Sequence, residues 1–112
     1  MITKFDEATV EQNFAYWTMA KEVLARNEIH DDDSPETVVF RVYFECGNAQ
    51  IAQQYLRDIE YKILSDTGKM RYLNEKDISQ ILDRAEIPDK ELELLVRDLR
   101  TGNVRLARKI WG

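Results

Sequence analysis

Apolar residues along most of the chain recur at intervals of three and four, which is the spacing of one face of an α-helix. The clearest example runs from Asn48 to Leu64, where polar and charged residues separate the apolar positions. We expect a helix over this range. Its predicted buried stripe consists of Ile51, Ala52, Tyr55, Ile59 and Ile63. Gly47 suits the left-handed conformation that ends a preceding helix, and Asn48 is a favourable N-cap for this one.

A long helix is predicted near the start of the chain, between Asp6 and Asn27. Its apolar side is expected to contain Val10, Phe14, Trp17, Lys21 and Leu24, with Tyr16, Ala20, Val23 and Asn27 beside it. Asp6 or Thr3 can act as its N-cap. The polar residues from Asn27 to Asp33 then end the helix in a loop.

The segment that follows combines helix and strand features. Ser34-Pro35-Glu36 is typical of a helix start, with a capping hydroxyl, a proline in the first turn and an early acid. Residues 38–46 are rich in β-branched and aromatic side chains that alternate as in a strand. The polar positions 37, 41, 45 and 48 are instead spaced by four, four and three, which indicates the solvent side of a helix. The predicted cap and Gly47 favour the helix. A strand at this position would also lack a second strand with which to pair.

The second half of the chain contains three further predicted helices. Asn74 can cap the first, with Asp77 in the position of a capping-box acid. Pro88 opens the second, and Thr101-Gly102-Asn103 closes it. A short basic helix from Val104 to Trp111 follows. The pattern therefore predicts an all-α fold, a single compact bundle of five to six helices joined by short loops.

Composition agrees with one helical domain over residues 1–112. The 112 residues are 44% apolar and 33% charged, which is typical of a globular protein. No apolar run approaches the roughly 20 residues that cross a bilayer, and the first residues lack signal-peptide features, so we expect a cytoplasmic protein without membrane contact. Cys46 is the only cysteine, which excludes an intrachain disulfide and agrees with a reducing compartment.

The sequence presents no recognisable catalytic or cofactor-binding pattern. His30 is the only histidine, and the 21 acidic residues allow too many carboxylate pairs to single one out. The acids around His30 lack the ligand spacing of zinc or calcium sites. Asp66-Thr67-Gly68-Lys69 does not continue as an EF-hand loop, and phosphate-binding glycine motifs are absent. We expect a non-enzymatic protein without metal or cofactor.

Charge is distributed unevenly along the chain. Residues 1–33 contain eight acids and three bases, whereas residues 97–112 contain five bases and one acid. The candidate binding residues are Arg97, Arg100, Arg105, Arg108, Lys109 and Trp111. They could contact phosphate or an acidic protein surface. The alternative interpretation is that these cations merely stabilise helix C-termini and balance the acidic half of the fold.

Two functions are compatible with these features. The first is a small protein-interaction module, such as an adaptor, immunity factor or inhibitor, that binds a protein partner. The second is a nucleic-acid-associated regulator that uses the basic C-terminal segment, with Thr101-Gly102-Asn103 as the corner of a helix-turn-helix. The net charge of −5 favours the first, because an acidic domain repels a duplex. A homodimer is a further option, since residues 38–44 carry more apolar surface than a small core requires.

Overall fold

The computed structural model describes the backbone of residues 7–101 and the side chains of residues 14–101. The described elements are α1 (Glu7–Arg26), α2 (Pro35–Cys46), α3 (Ala49–Asp58), β1 (Lys62–Leu64), β2 (Met70–Tyr72), α4 (Glu75–Arg84) and α5 (Lys90–Thr101). The prediction of an all-α bundle is confirmed, with one small hairpin added. The predicted last helix, 104–111, lies outside the described residues. None of the helices between residues 7 and 101 is long and apolar enough to cross a membrane.

The central element is α2, which packs against α3, α4 and α5. Ser34 Oγ accepts a hydrogen bond from the Thr37 N–H at its start. Gly47 has a φ of 66° at its end and donates its N–H to the Tyr43 carbonyl. The helix predicted over residues 38–46 is therefore confirmed. Its β-branched and aromatic residues suit the interior because α2 packs against three other helices, and Phe40 is fully buried.

The helix predicted from Asn48 to Leu64 is shorter than expected. Asn48 caps α3, accepting from two backbone N–H groups, but the helix ends at Asp58. Glu60 then adopts a φ of 58°, which turns the chain out of the helix. Residues 62–64 form β1 and pair with β2 in an antiparallel hairpin. The helix was predicted too long because residues 62–64 pair with a strand that lies beyond the turn at residues 65–69, and local periodicity does not reveal that pairing.

The side of α3 that faces the core also differs from the prediction. Ala52 and Leu56 are buried. The exposed fractions of Ile51, Tyr55 and Ile59 are 55%, 45% and 45%. Apart from Ala52, the predicted stripe on this helix therefore faces mainly solvent, and Ile59 is not a core residue.

The inward side of α1 was likewise misassigned. Val23 is buried, and Tyr16, Met19 and Ala20 pack partly against the core, whereas Phe14 and Leu24 are exposed. Polar contacts with α5 fix this orientation. The Tyr16 hydroxyl donates to Asp98 at 2.9 Å, and the Arg26 guanidinium bonds Asp89 and Glu91.

The ends of α4 and α5 follow local sequence signals. Asn74 and Asp77 form the predicted capping box at the start of α4. Helix α5 begins at Lys90 rather than at Pro88, and the Asp89 carboxylate accepts from the Leu92 N–H at 3.1 Å. The core side of α5 contains Leu92, Leu95 and Val96.

Candidate functional site

Arg97, the first of the predicted binding residues, lies between α5 and the end of α4. Its guanidinium donates to the backbone carbonyls of Leu82 and Ala85, with the Leu82 oxygen at 3.1 Å. It also lies 5.8 Å from the centre of the Phe40 ring. Helix C-termini leave carbonyls without partners, so these contacts satisfy groups that would otherwise need water.

Arg100, the second predicted binding residue, also contacts α2 and α4. Its guanidinium bonds the Asp83 carboxylate at 2.8 Å and lies 5.9 Å from the centre of the Tyr43 ring. The hydrogen bond that Arg100 donates to the Asp83 carboxylate raises the pKa of Arg100 above its ordinary value. Both arginines therefore hold neighbouring helices together in addition to any contact with a partner.

The other four predicted binding residues are Arg105, Arg108, Lys109 and Trp111. They lie outside the described residues, so the clustering of all six stays a prediction.

The described residues form a groove between the segment after α1, helix α2 and helix α3. The groove encloses about 330 Å³. Its lining residues are Asn27, Glu28, Ile29, Arg41, Val42, Glu45, Cys46 and Tyr55. We call it the Tyr55 groove, after the residue that α3 contributes.

The segment after α1 is fixed to α2 by the side chain of Asn27. Its Nδ2 donates to the Arg41 carbonyl at 2.9 Å and to the Glu45 carboxylate at 2.8 Å. The Asn27 N–H donates in turn to the Leu24 carbonyl, which closes the end of α1. Glu28 and Ile29 are therefore held beside α2, although they belong to a loop.

The Tyr55 groove has an anionic edge formed by Glu28 and Glu45. The guanidinium of Arg41, which also lines it, is paired with the Asp33 carboxylate at 2.9 Å, and each side chain is 11% exposed. The exposed Asp31 and Asp32 add negative charge on the same loop. Because Asp33 neutralises Arg41, the residues around the groove carry a net negative charge.

Apolar side chains make up the rest of the wall. Ile29, Val42, Cys46 and Tyr55 contribute carbon and sulfur surface. Burial and the neighbouring Glu45 carboxylate raise the pKa of the Cys46 thiol, so it stays protonated at neutral pH and behaves as a small apolar group. Asn27 Oδ1 is buried and has no hydrogen-bond partner among the described residues.

The exposed side of α3 continues from the Tyr55 groove. Ile51, Tyr55 and Ile59 follow one another at intervals of four and are all exposed. We call these three residues the α3 stripe. A shallow depression of about 650 Å³ runs beside it, lined by Asn48, Gln50, Ile51, Gln53, Gln54, Tyr55 and Asp58. Tyr55 borders both depressions.

Sequence reasoning did not identify the Tyr55 groove. It treated residues 27–33 as a solvated loop and Tyr55 as core. One signal was available, because Asn27 lies at the end of the predicted first helix and Asn side chains commonly bond backbone groups near chain reversals. The pairing of Asp33 with Arg41, which makes the groove acidic, depends on tertiary structure.

The arrangement can bind a cationic segment that carries an apolar side chain, because unlike charges meet at the edge while apolar surface is removed from water inside. Among the described residues, no group of three or more His, Cys, Asp or Glu side chains is placed to hold a metal ion.

Comparison with known proteins adds no family to this description. No protein-family model, curated protein or solved structure matches the chain.

Proposed function

We propose that the chain is a small protein-interaction module that binds a basic segment of a protein partner in the Tyr55 groove. An apolar side chain of that segment enters between Ile29, Val42 and Tyr55, and flanking Lys or Arg residues face Glu28 and Glu45. The observation that carries this proposal is the combination of an apolar wall with an anionic edge in one groove.

The size of the groove supports a single anchoring side chain. A space of about 330 Å³ is at the lower end of ligand pockets, which span roughly 300–1,000 Å³. It suits one Leu, Met or Trp side chain with part of its backbone. Interfaces commonly concentrate their binding energy in one such buried anchor, surrounded by charged contacts that exclude water.

An adaptor and an inhibitor would use the groove in the same way, because each acts by occupying its partner.

The alternative is a nucleic-acid-associated regulator that uses the basic C-terminal segment. Of its cations, Arg97 and Arg100 already direct guanidinium donors to Leu82, Ala85 and Asp83. This favours the protein-binding proposal, and the contribution of residues 105–111 stays a prediction.

Fluorescence anisotropy with labelled peptides tests the proposal. One peptide set carries a central Leu or Trp flanked by Lys and Arg, a second replaces the bases with acids, and a third replaces the apolar residue with Ser. We expect only the first set to bind at physiological salt, with a dissociation constant on the order of 10 µM.

Paired variants locate the binding surface. The double variant Glu28→Gln, Glu45→Gln removes both edge charges but keeps acceptors at each position, and we expect it to weaken binding about tenfold. Glu86→Gln, at an exposed acid that does not line the groove, serves as the control. Equal loss in the control, or equal binding of the Ser-containing peptides, would show non-specific charge attraction and contradict the proposal.

A further inference from the structure

We propose that two copies of the chain pair through the α3 stripe, with the two α3 helices antiparallel and Tyr55 of each copy at the twofold axis. This pairing is a separate association from peptide binding in the Tyr55 groove, although Tyr55 borders both surfaces. It rests on the shape, symmetry and charge of the exposed side of α3.

The α3 stripe forms one continuous ridge. Ile51, Tyr55 and Ile59 are spaced by four, and Ile59 is the C-cap residue of α3, so the three side chains make up a single row along the helix to its end. Two such rows interdigitate at a crossing angle of about −50°, the commonest packing class between helices in globular proteins. The core side of α3 is already occupied, since Ala52 and Leu56 are buried. The ridge is therefore left available for an external helix.

The ridge is symmetric about its middle residue. Ile51 and Ile59 lie four positions before and after Tyr55. An antiparallel pairing centred on Tyr55 consequently places Ile51 of one copy against Ile59 of the other. The same surface then serves both partners, as a closed twofold dimer requires.

Charge favours a second copy rather than an acidic or basic protein at this surface. Residues 49–56 contain no charged side chain, although the chain as a whole has a net charge of −5. Gln50, Gln53 and Gln54 flank the ridge and can exchange hydrogen bonds across it. Pairing about Tyr55 sets Arg57 against Gln53 and Asp58 against Ala52, so no like charges oppose each other. Asp58 is moreover held by Gln54 at 2.9 Å.

Sedimentation equilibrium of the full chain tests association. A contact made mainly by one helix lies at the small end of interface sizes, so we expect a dissociation constant on the order of 10 µM. Ile51→Glu should raise this constant at least tenfold. Leu94→Glu, at a residue of α5 that is 50% exposed, should leave it unchanged. Circular dichroism verifies that both variants fold.

Disulfide trapping tests the register in a Cys46→Ser background. On oxidation with diamide, Tyr55→Cys should give a covalent dimer, whereas Lys76→Cys, at an exposed site on α4, should not. A mixture of Ile51→Cys and Ile59→Cys should form the heterodimer faster than either homodimer.

Two results would overturn the inference. A wild-type chain that remains monomeric at about 500 µM, well above the expected constant, excludes a second copy as the occupant and leaves the ridge to a different partner. Preferential formation of the Ile51→Cys homodimer would indicate a parallel pair and exclude the twofold arrangement about Tyr55.

Discussion

Asp33 and Arg41 illustrate how single residues connect stability with the candidate site. Burial raises the pKa of the Asp33 carboxyl, but hydrogen bonds from the His30 N–H and Arg41, with the charge of Arg41, outweigh it. The net result is a pKa below its usual value. Because the folded-state pKa is lowered, the pair stabilises the fold above the unfolded pKa of about 3.9. That contribution is lost as the pH falls through the folded-state pKa.

We therefore expect Asp33→Asn to lower the free energy of unfolding by about 2 kcal/mol at pH 7, since Arg41 loses its counter-charge in a mostly buried position. The difference from wild type should shrink as the pH falls below the unfolded-state pKa of about 3.9 and through the lowered folded-state pKa, where the wild-type carboxylate becomes protonated too. Urea denaturation at several pH values measures both effects. Asp32→Asn, at the exposed neighbour, should change stability by less than about 0.5 kcal/mol. An Asp33→Asn difference that is constant with pH would exclude the charged pair as its cause.

Residue-level features were predictable where they depend on neighbours in sequence. Ser34, Asn48 and Asn74 were each identified as N-caps, because a cap bonds backbone groups two or three residues ahead. Pairs such as Asp33 with Arg41, or Arg26 with Asp89, join different elements. Many acids and bases could have made them, so sequence alone could not select the partners.

At the scale of elements, Arg97 connects α5 to the C-terminus of α4. Its backbone acceptors are the carbonyls of Leu82, Asp83 and Ala85, which belong to the last turn of α4 and the residue after it. Sequence reasoning offered a choice between a binding role and a stabilising role at a helix end. The hydrogen bonds to the α4 carbonyls support the stabilising role.

We expect Arg97→Met to lower the free energy of unfolding by about 2 kcal/mol, because the α4 carbonyls lose charged donors while the aliphatic part of the side chain is kept. Arg84→Met, at an exposed residue in the last turn of α4, should cost less than about 0.5 kcal/mol. Thermal or urea denaturation distinguishes the two. Equal effects would mean that the carbonyl contacts add little to stability.

Element types were predicted better than element ends. Helix α2 could be inferred because its cap and its terminal glycine are both local signals. The hairpin could not, because three-residue strands gain stability only from pairing and from packing on the helices. The end of α3 at Asp58 was missed for the same reason.

At the scale of the whole molecule, the helical bundle was predictable from the sequence. Which side of each helix faces the core was not. Periodicity shows that a helix has an apolar side, yet α1 and α3 each carry apolar residues on more than one side. Which side turns inward depends on the neighbouring helices. Here α2 occupies the centre, so α3 buries Ala52 and Leu56 and leaves the α3 stripe outside.

The net charge of −5 gives a prediction for the whole chain. We expect no detectable binding to labelled duplex DNA or single-stranded RNA at 50 mM salt, because phosphate binding requires a positive surface. Fluorescence anisotropy across a salt series measures this directly. Binding that falls steeply with salt and is lost in the double variant Arg105→Ala, Arg108→Ala would instead support the nucleic-acid-associated regulator.

Tyr55 lines the groove and is also the middle residue of the α3 stripe. Binding that repositions the Tyr55 phenol at either surface would change the binding affinity at the other. Equilibrium thermodynamics makes such coupling reciprocal. If an incoming segment strengthened self-association tenfold, self-association would strengthen capture of that segment tenfold. The concentration of the chain in the cell would then help to set how tightly the chain binds that segment.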